Sequence, residues 1–461
     1  MGREQKRVAV LNVVGLTPAL LKHAPRIRAH AEATGGVTPL RPVFPAVTCS
    51  VQASMTTGLP PEDSESGPGH GIVGNGWYDR DRCEIRFWQR SDRLVQGEKV
   101  WETARRRAAS RGETFTCANL FWWHNTYSTC DVVVQARPIY KADGRKIPDC
   151  YTSPPELRDQ LQSSPESGGL GRFPLFRFWG PLADITSSRW IASAAIKVYE
   201  IHGPTLSLVY LPHLDYGLQK LGPDHPAIPR HVGEIDAEVG RLLDFYARHD
   251  VRVLVVSEYG IEPTRERDAA IVINCHLRDA GLLAVREEDG RELLDPGACR
   301  AFAVADHQVA HVYHDADVEL PDIPGCRAAS LDHDRAGDTV LVADPGRWFT
   351  YDYWPPEDDH AKAPDFARTV DIHRKPGYDP RELFSDAGKA AVAWKLAKKK
   401  LGFRPLMDVV PLDTDLVRGT HGRVDNPPEL QPLLIGTKNV EAPISVTAVR
   451  DVVVRELRLD Y

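Results

Sequence analysis

The chain has little of several features that would assign it quickly to a class of protein. Its 461 residues include only three methionines and eight cysteines, and no two cysteines form a CxxC pair. Scattered cysteines of this kind favour reduced, mostly buried thiols over a disulfide framework or a zinc ribbon. The apolar run Val8–Val14 is too short for the apolar part of a signal peptide, and no run approaches a membrane span. We therefore expect a soluble, cytoplasmic protein.

An excess of positive charge is also absent. The chain has 57 Lys and Arg against 64 Asp and Glu, which gives a formal net charge of −7 and no basic field for nucleic acid. Its 42% hydrophobic and 26% charged residues are typical of a globular protein. The length allows two or three domains. We predict neither a nucleic-acid partner nor a membrane partner, and the sequence does not indicate an oligomeric state.

The fold class follows from four short apolar segments that are rich in β-branched residues and lack polar alternation. Such segments predict buried parallel strands. Helical patterns lie between them, of which residues 101–111 and 229–248 are the clearest. The alternation predicts an α/β protein with a mostly parallel central sheet and helices on both faces. The predicted strands are Val8–Val14, Phe115–Trp122, Ser207–Leu211 and Val251–Ser257.

Two regions interrupt this alternation. Residues 136–179 are rich in Pro, Gly, Arg and Lys and are interpreted as an ordered insertion or as long loops. Residues 289–400 combine a predicted strand over Ala301–Tyr313 with an aromatic loop, and we interpret them as a smaller α+β cap. The predicted α/β core then comprises residues 1–288 and 401–461.

A threonine in an unusual setting is the first sign of chemistry. Thr48 follows an extended apolar run and opens a predicted helix, and a Gly-rich turn with Asn75 comes shortly afterwards. A hydroxyl at a helix N-terminus lies among free backbone N–H groups, which favour both an alkoxide and the anion that it attacks. This grouping suits covalent phosphoryl transfer. The alternatives are an N-cap role for Thr48 and a turn role for Asn75.

The order of motifs resembles the nucleotide pyrophosphatase/phosphodiesterase branch of the alkaline phosphatase superfamily. Those enzymes have an FPxxT motif, then TG and HGIxxN, a PDxxGHxxGP motif, SDHGM after a strand, and a late GxHG. Several ordered matches are more specific than any single motif. The resemblance implies an alkaline phosphatase-like fold and a hydrolase that cleaves a phosphodiester or pyrophosphate bond of a phosphorylated small molecule. The counterparts here are Phe44–Thr48, Thr57-Gly58, His70–Asn75, Asp215–Pro223, Ser257–Ile261 and Gly419–Gly422.

The resemblance also implies roles for single residues. Thr48 matches the nucleophile that becomes phosphorylated, and Asn75 matches the side chain that donates to the phosphoryl oxygen. Asp215 and His421 match two ligands of the family's metal site.

Other positions of the metal site depart from the family. Val14 stands where the family has an aspartate, Gln219 replaces a histidine, and Glu258-Tyr259 replaces an Asp-His pair. The cage of two zinc ions has therefore lost two imidazoles and one carboxylate, which are the ligands that select zinc. The alternatives are one divalent ion (Zn²⁺, Mn²⁺ or Mg²⁺), ligands recruited from elsewhere, or no metal. Glu258 and Gln219 remain candidate ligands.

A histidine-rich segment is a candidate source of recruited ligands. On a single strand over residues 305–313, His307 and His311 would share one face by the period of two, next to Asp306. Two imidazoles there would supply metal ligands or acid and base groups. The alternative is a hydrogen-bonded strand face in the cap.

Two further segments are candidates for substrate binding. Trp123 and His124 follow a predicted strand, and Arg137 and Lys141 lie in a cationic loop that would suit an anionic substrate. The alternative is core packing beside a solvated loop. Two other functions also stay open: a non-hydrolytic or metal-independent biosynthetic enzyme that reuses the pocket, and a catalytically silent ligand-binding protein.

Overall fold

The computed structural model describes residues 6–65, 67–355, 360–438 and 443–459. Within these ranges the strands are β1 Arg7–Val13, β2 Val37–Arg41, β3 Gly76–Asp79, β4 Glu84–Phe87, β5 Cys117–Leu120, β6 Val132–Ala136, β7 Ile139–Tyr140, β8 Lys146–Ile147, β9 Cys150–Ser153, β10 Leu206–Leu211, β11 Val251–Val256, β12 Glu262–Pro263, β13 Ala270–Ile271, β14 Val285–Glu288, β15 Arg291–Leu294, β16 Ala301–Asp306, β17 Val309–His314, β18 Cys326–Ala329, β19 Thr339–Ala343, β20 Trp348–Phe349, β21 Gly419–Thr420, β22 Leu433–Ile435 and β23 Ile444–Ser445.

The α-helices of the described residues are α1 Pro25–Thr34, α2 Thr48–Thr57, α3 Val100–Ser110, α4 Leu157–Gln162, α5 Leu175–Phe178, α6 Ile185–His202, α7 His213–Leu221, α8 Ile228–Arg248, α9 Ile273–Asp279, α10 Lys389–Lys400 and α11 Val449–Glu456. Short 3-10 turns lie at Pro18–His23, Asp92–Leu94, Pro165–Ser167, Asp365–Arg368, Pro380–Leu383, Thr414–Leu416, Pro428–Leu430 and Val446–Ala448. None of the described helices combines the length and the apolar character that crossing a bilayer requires.

The central sheet has nine strands within the described ranges, in the order β23-β2-β22-β11-β1-β10-β5-β6-β9. Its middle five strands, from β11 to β6, are parallel, and β22 and β9 run antiparallel on either side of them. The four predicted strands are confirmed within two residues as β1, β5, β10 and β11. Nearly every residue of these strands is buried, as expected for a sheet covered on both faces.

Two groups of helices cover the sheet. One group contains α1, α6, α7 and α8, which contact one another and the central strands. The other contains α2, α3 and α11. The predicted helices over residues 101–111 and 229–248 are α3 and α8. The α/β prediction is confirmed. The segment 136–179 contributes β9 to the central sheet, and its interpretation as an insertion stays a prediction.

A second, antiparallel sheet has the order β16-β17-β19-β18. The prediction of one strand over Ala301–Tyr313 is wrong, because β16 and β17 form a hairpin that turns at His307 and Gln308. His307 has a φ of 57°, as a two-residue hairpin turn requires. The turn is fixed from outside, since the Gln308 backbone N–H donates to the His421 carbonyl at 3.0 Å. The alternating pattern continues through the turn without a glycine, so the period of two did not reveal it.

The two sheets share part of their apolar core. Val309 of β17 and Val340 of β19 pack in the same cluster as the central strands, together with Leu331 and Ala336. The hairpin turn therefore reaches the carboxyl edge of the central sheet. The division into a core and a 289–400 cap stays a prediction.

Candidate active site

The candidate active site lies where the central parallel strands end. Thr48 begins α2, α7 follows β10, and Tyr259 lies three residues after β11. Carboxyl ends of parallel strands meet at one edge of a sheet, which brings these segments together. Val47, and not Thr48, is the N-cap residue of α2, and its side chain makes no capping hydrogen bond. The Thr48 hydroxyl is therefore buried at the helix N-terminus without a capping role.

A chain of hydrogen bonds begins at the Thr48 hydroxyl. Its Oγ1 lies 2.9 Å from the Tyr259 hydroxyl, and that hydroxyl donates to Asp215 Oδ1 at 3.4 Å. Because Tyr259 gives its one proton to Asp215, Thr48 is the donor of the first bond. Gln219 Nε2 donates to Asp215 Oδ2 at 2.9 Å, and the Tyr378 hydroxyl donates to Gln219 Oε1 at 2.6 Å. Both oxygens of Asp215 thus accept hydrogen bonds, and the chain leads from Thr48 to this carboxylate.

Burial controls the charges of the two carboxyl groups. It raises the pKa of Asp215 to about 7, against the opposing hydrogen bonds from Gln219 and Tyr259. It raises the pKa of Glu258 to about 8, although Gln52 and Asn12 donate to its Oε1 at 2.6 and 2.5 Å. Glu258 is therefore mostly protonated at neutral pH, whereas Asp215 titrates there.

Asn75 is held by contacts on both sides of its amide. Its Oδ1 accepts a bond from the Cys49 backbone N–H in the first turn of α2 at 3.0 Å. Its Nδ2 and its backbone N–H donate to Asp306 Oδ1 and Oδ2 at 3.0 and 2.7 Å. Asp306 Oδ1 also lies 2.7 Å from His307 Nδ1. The hairpin turn is thereby linked through Asn75 to the N-terminus of α2.

Four rings stack across the floor of the site. Tyr259 and His421 have centroids 3.6 Å apart, His421 and His307 are 3.8 Å apart, and His307 and Tyr378 are 3.6 Å apart. His421 Nδ1 bonds to the Ala46 carbonyl at 2.9 Å, and its buried Nε2 has no partner among the described residues. Burial holds the pKa of both histidines well below its usual value, so both are neutral.

A cavity of about 1060 Å³ opens above this floor. Thr48, Asp215, Tyr259 and His307 reach its wall, so the hydrogen-bonded chain is accessible from it. Its remaining wall is mainly aromatic and apolar, as is usual for pockets that bury a small molecule. The aromatic side chains are Trp88, Trp123, Trp179, Tyr140, Tyr210, Tyr216, Tyr378, Phe176 and Phe178.

Arg90 brings positive charge into this aromatic wall. Its guanidinium lies 5.2 Å from the centroid of the Trp123 ring, and its Nε is buried without a hydrogen-bond partner among the described residues. Burial lowers the pKa of Arg90 to about 10, which leaves it charged at neutral pH. No described carboxylate forms an ion pair with it. Lys146 lines the same cavity.

The predicted substrate residues fall in different places. Trp123 lines the cavity, and its backbone N–H donates to Gln52 Oε1 at 2.6 Å. His124 is buried, and burial lowers its pKa to about 3, but it is not part of the cavity wall given by the described residues. Arg137 lies in a separate surface depression, and Lys141 is exposed in the β7–β8 turn.

His307 and His311, predicted on one strand face, are separated by the hairpin. His307 lines the cavity. His311 is buried elsewhere, with Nε2 3.1 Å from the Val73 carbonyl and Nδ1 accepting a bond from the Gly337 N–H. Both of its nitrogens are thus engaged outside the cavity.

The comparison with known families settles the membership of the chain. A model of the type I phosphodiesterase / nucleotide pyrophosphatase family matches residues 8–379. The chain belongs to this family. A pyrophosphatase/phosphodiesterase of Schizosaccharomyces pombe, itself described as uncharacterized, is 24% identical over 280 residues. The match covers 57% of this chain and 46% of the yeast protein, so it spans less than half of that relative.

Solved structures of the family share the fold. Murine ectonucleotide pyrophosphatase/phosphodiesterase 5, solved as an inactive threonine-to-alanine variant with AMP, is 13% identical, with a TM-score of 0.57. The alignment covers 99% of this chain and 96% of the murine one. The human protein is 14% identical, with the same coverage and TM-score. At such identities the similarity concerns the fold alone.

The residues here do not fit the two-metal cage implied by the resemblance to nucleotide pyrophosphatases. The Val14 side chain offers no ligand atom. Tyr259 and Gln219 each donate a hydrogen bond to Asp215, so they occupy the carboxylate lone pairs that a metal ion would need. Glu258 Oε1 already accepts hydrogen bonds from Gln52 and Asn12. Among the described residues, Asp215, Glu258 and His421 are not part of any group of three ligand atoms within 4.8 Å of one another. The positions that the resemblance assigns to the cage form a hydrogen-bonded network.

Three residues of this site were not identified from the sequence. Arg90 follows an aromatic pair without any motif, Gln52 lies inside α2, and Tyr378 lies in a turn-rich segment far along the chain. Only packing between distant segments brings them to the cavity or to Glu258. The period of α2 does place Gln52 one turn after Thr48, on the same side of the helix.

Proposed function

We propose that the protein cleaves a phosphodiester or pyrophosphate bond of an anionic small molecule, with Thr48 as the nucleophile. The observation that carries the proposal is the hydrogen-bonded path from Thr48 through Tyr259 to Asp215, open to the large cavity. The family membership supports this reaction class. The inactive threonine-to-alanine variant of the murine relative, solved with AMP, also supports a threonine-dependent reaction on a phosphorylated ligand.

In the proposed reaction, Thr48 Oγ1 attacks phosphorus and the bond to the leaving oxygen breaks. The Thr48 proton passes to Tyr259, and the Tyr259 proton passes to Asp215. Burial raises the pKa of the Tyr259 phenol well above its ordinary value, so Tyr259 stays protonated before and after the transfer. Water then attacks phosphorus: its oxygen forms the new bond, the Thr48–phosphorus bond breaks, and one water proton returns to Thr48 Oγ1. Asp215 releases the proton from the first step to solvent through the open cavity, which restores the starting state. No step needs a metal.

Charge stabilisation comes from the chain itself. The N-terminus of α2 presents backbone N–H groups beside Thr48, and Arg90 supplies a guanidinium without a carboxylate partner among the described residues. Fixed dipoles and charges in a partly dry site account for most of the rate in phosphoryl transfer. The aromatic wall suits a substrate with a planar or apolar part next to its phosphate.

A second candidate is transfer of the phosphoryl group from Thr48 to a substrate hydroxyl instead of water. The largely aromatic wall favours it, because an acceptor that packs against this wall beside Thr48 would displace water from the site. The two reactions differ in their product. Hydrolysis in ¹⁸O-water places one labelled oxygen on the released phosphate product, whereas transfer gives an unlabelled ester of the acceptor hydroxyl.

The test uses the p-nitrophenyl ester of thymidine 5′-monophosphate with the full chain. Thr48→Ala should lower kcat/KM by at least about 1,000-fold. Thr56→Ala is the matched control, since Thr56 lies on the same helix and its hydroxyl bonds only to the Gln52 and Ala53 carbonyls. Intact mass after rapid quenching should show a thymidine monophosphate adduct, formed with release of p-nitrophenolate, that Thr48→Ala abolishes. Equal activity of Thr48→Ala and the control would refute the nucleophile.

A further inference from the structure

Three ligand-type side chains meet where α7 packs against α8, away from the hydrogen-bonded network. His213 is the first residue of α7, and His231 and Glu234 lie three residues apart on α8. Side chains at this spacing share one helix face. Within the described ranges, this is the one group of three His, Cys, Asp or Glu ligand atoms that lie within 4.8 Å of one another. None of the three belongs to the cavity wall given by the described residues.

The distances among these atoms match the edges of a tetrahedral site. His213 Nε2 lies 3.1 Å from Glu234 Oε2 and 3.4 Å from His231 Nδ1. His231 Nδ1 lies 3.8 Å from Glu234 Oε2. Bonds of about 2.0–2.1 Å from zinc to nitrogen and oxygen imply ligand atoms roughly 3.3 Å apart in a tetrahedron. The three atoms thus surround a point at bonding distance from each.

Neighbouring residues hold the ligand atoms in position. Arg230 Nε donates to Glu234 Oε1 at 3.0 Å, which leaves Oε2 directed at the imidazoles. The His231 ring packs against α7 at Gly217, where an added Cβ would lie 3.3 Å from its Cγ and Nδ1. Such orienting contacts usually accompany metal ligands. His213 is buried, and the side chains of His231 and Glu234 are 22% and 26% exposed, so a fourth position is open to water.

We propose that His213 Nε2, His231 Nδ1 and Glu234 Oε2 bind one divalent transition-metal ion of the zinc class, with water as the fourth ligand. Two imidazoles and one carboxylate are a ligand set that suits zinc. The ion would join α7 to α8. Since α7 carries Asp215 and Gln219, the site would fix the helix that positions the carboxylate of the network. This proposal does not depend on the proposed reaction.

The experiment measures metal binding directly. Full-length protein is stripped with a chelator, dialysed and titrated calorimetrically with ZnCl₂. A parallel sample receives Co²⁺, whose visible absorption reports tetrahedral coordination. We expect each chain to bind one zinc ion when zinc is present at micromolar concentration. Bound Co²⁺ should give an intense visible absorption band. His231→Ala and Glu234→Gln should weaken binding by at least about 100-fold, and Arg230→Ala by about 10-fold.

Two controls locate the ion. His202→Ala, at the exposed end of α6, should bind zinc like the wild type, as should Thr48→Ala. Circular dichroism checks that each variant is folded. A wild-type protein without a zinc equivalent, or equal binding by folded His231→Ala, would overturn the proposal. The second result would assign the zinc to cysteines or to the cavity.

Discussion

The phenol ring of Tyr259 lies flat on the imidazole of His421, with centroids 3.6 Å apart and planes 8° apart. This contact fixes the Tyr259 hydroxyl between Thr48 and Asp215. In the family resemblance, Tyr259 stands at a metal-ligand position. In the proposed reaction the same backbone position holds a proton carrier, and the stack sets its orientation.

Replacing Tyr259 by phenylalanine should break the path from Thr48 to Asp215 while keeping the ring stack. We expect kcat to fall by about 100-fold or more, because general-base assistance contributes this much, with little change in KM. Steady-state kinetics on the p-nitrophenyl ester measures both constants. Tyr246→Phe, a buried tyrosine of α8 away from the cavity, is the control. An unchanged kcat would exclude Tyr259 from the transfer.

The pH dependence should follow Asp215. Burial raises its pKa to about 7, and only the ionised carboxylate accepts a proton, so kcat/KM should fall about tenfold per unit below pH 7. The pH profile of kcat/KM measures this limb. Asp215→Asn should lose most of the activity, and its remaining activity should no longer fall below pH 7. Glu258→Gln should keep the fall in kcat/KM below pH 7. If Glu258→Gln shifts the pH at which kcat/KM falls, the base would be Glu258 instead of Asp215.

Glu258→Gln should stabilise the protein, and more so at high pH. The folded state raises the pKa of Glu258 to about 8 from an ordinary 4.5, mainly by burial. Between pH 4.5 and pH 8, Glu258 is protonated in the folded state and ionised in the unfolded state, so unfolding releases a proton. The free energy of unfolding therefore falls as the pH rises through this range. An uncharged amide at this position would remove that dependence, and the stabilisation should grow by about 2–4 kcal/mol from pH 5 to pH 8.

Urea denaturation of wild type and Glu258→Gln at both pH values measures this difference. Glu200→Gln serves as the control, because it makes the same chemical change at an exposed position of α6. A stabilisation that is equal at the two pH values would contradict a protonated Glu258.

Arg90→Gln should weaken binding of anionic substrates. A charged hydrogen bond to a phosphate contributes about 1.5–3 kcal/mol, so KM should rise about 10-fold to 100-fold with a smaller change in kcat. Arg137→Gln is the matched control, since Arg137 lies outside the cavity against Tyr151. Kinetics on the p-nitrophenyl ester separates KM from kcat. An equal rise of KM in both variants would indicate a general effect of charge.

The central sheet could be predicted because its strands carry their own local signal. Val8–Val14 and Val251–Ser257 are β-branched and apolar almost throughout, and β1 and β11 lie within one residue of them. The position of Thr48 at the start of a helix was predicted from the same local patterns. Asp215 and Tyr259 were located because they closely follow such strands.

The parts that could not be predicted depend on contacts between distant segments. Asp306 meets Asn75 across 231 positions, and Tyr378 meets Gln219 across 159. No periodicity or residue spacing in the sequence predicts these contacts. The hairpin at His307 was misinterpreted because its turn is held by the His421 carbonyl and not by a glycine-containing turn motif.

The tip of the β16–β17 hairpin joins the smaller sheet to the residues around Thr48. It supplies one ring of the four-ring stack and, through Asp306, holds Asn75, whose amide oxygen accepts the backbone N–H of Cys49 next to Thr48. Exchange of the smaller sheet alone would break these contacts. Chimaeras that swap residues 301–343 between relatives should therefore lose turnover unless the partners of Asp306 and His307 are swapped with them.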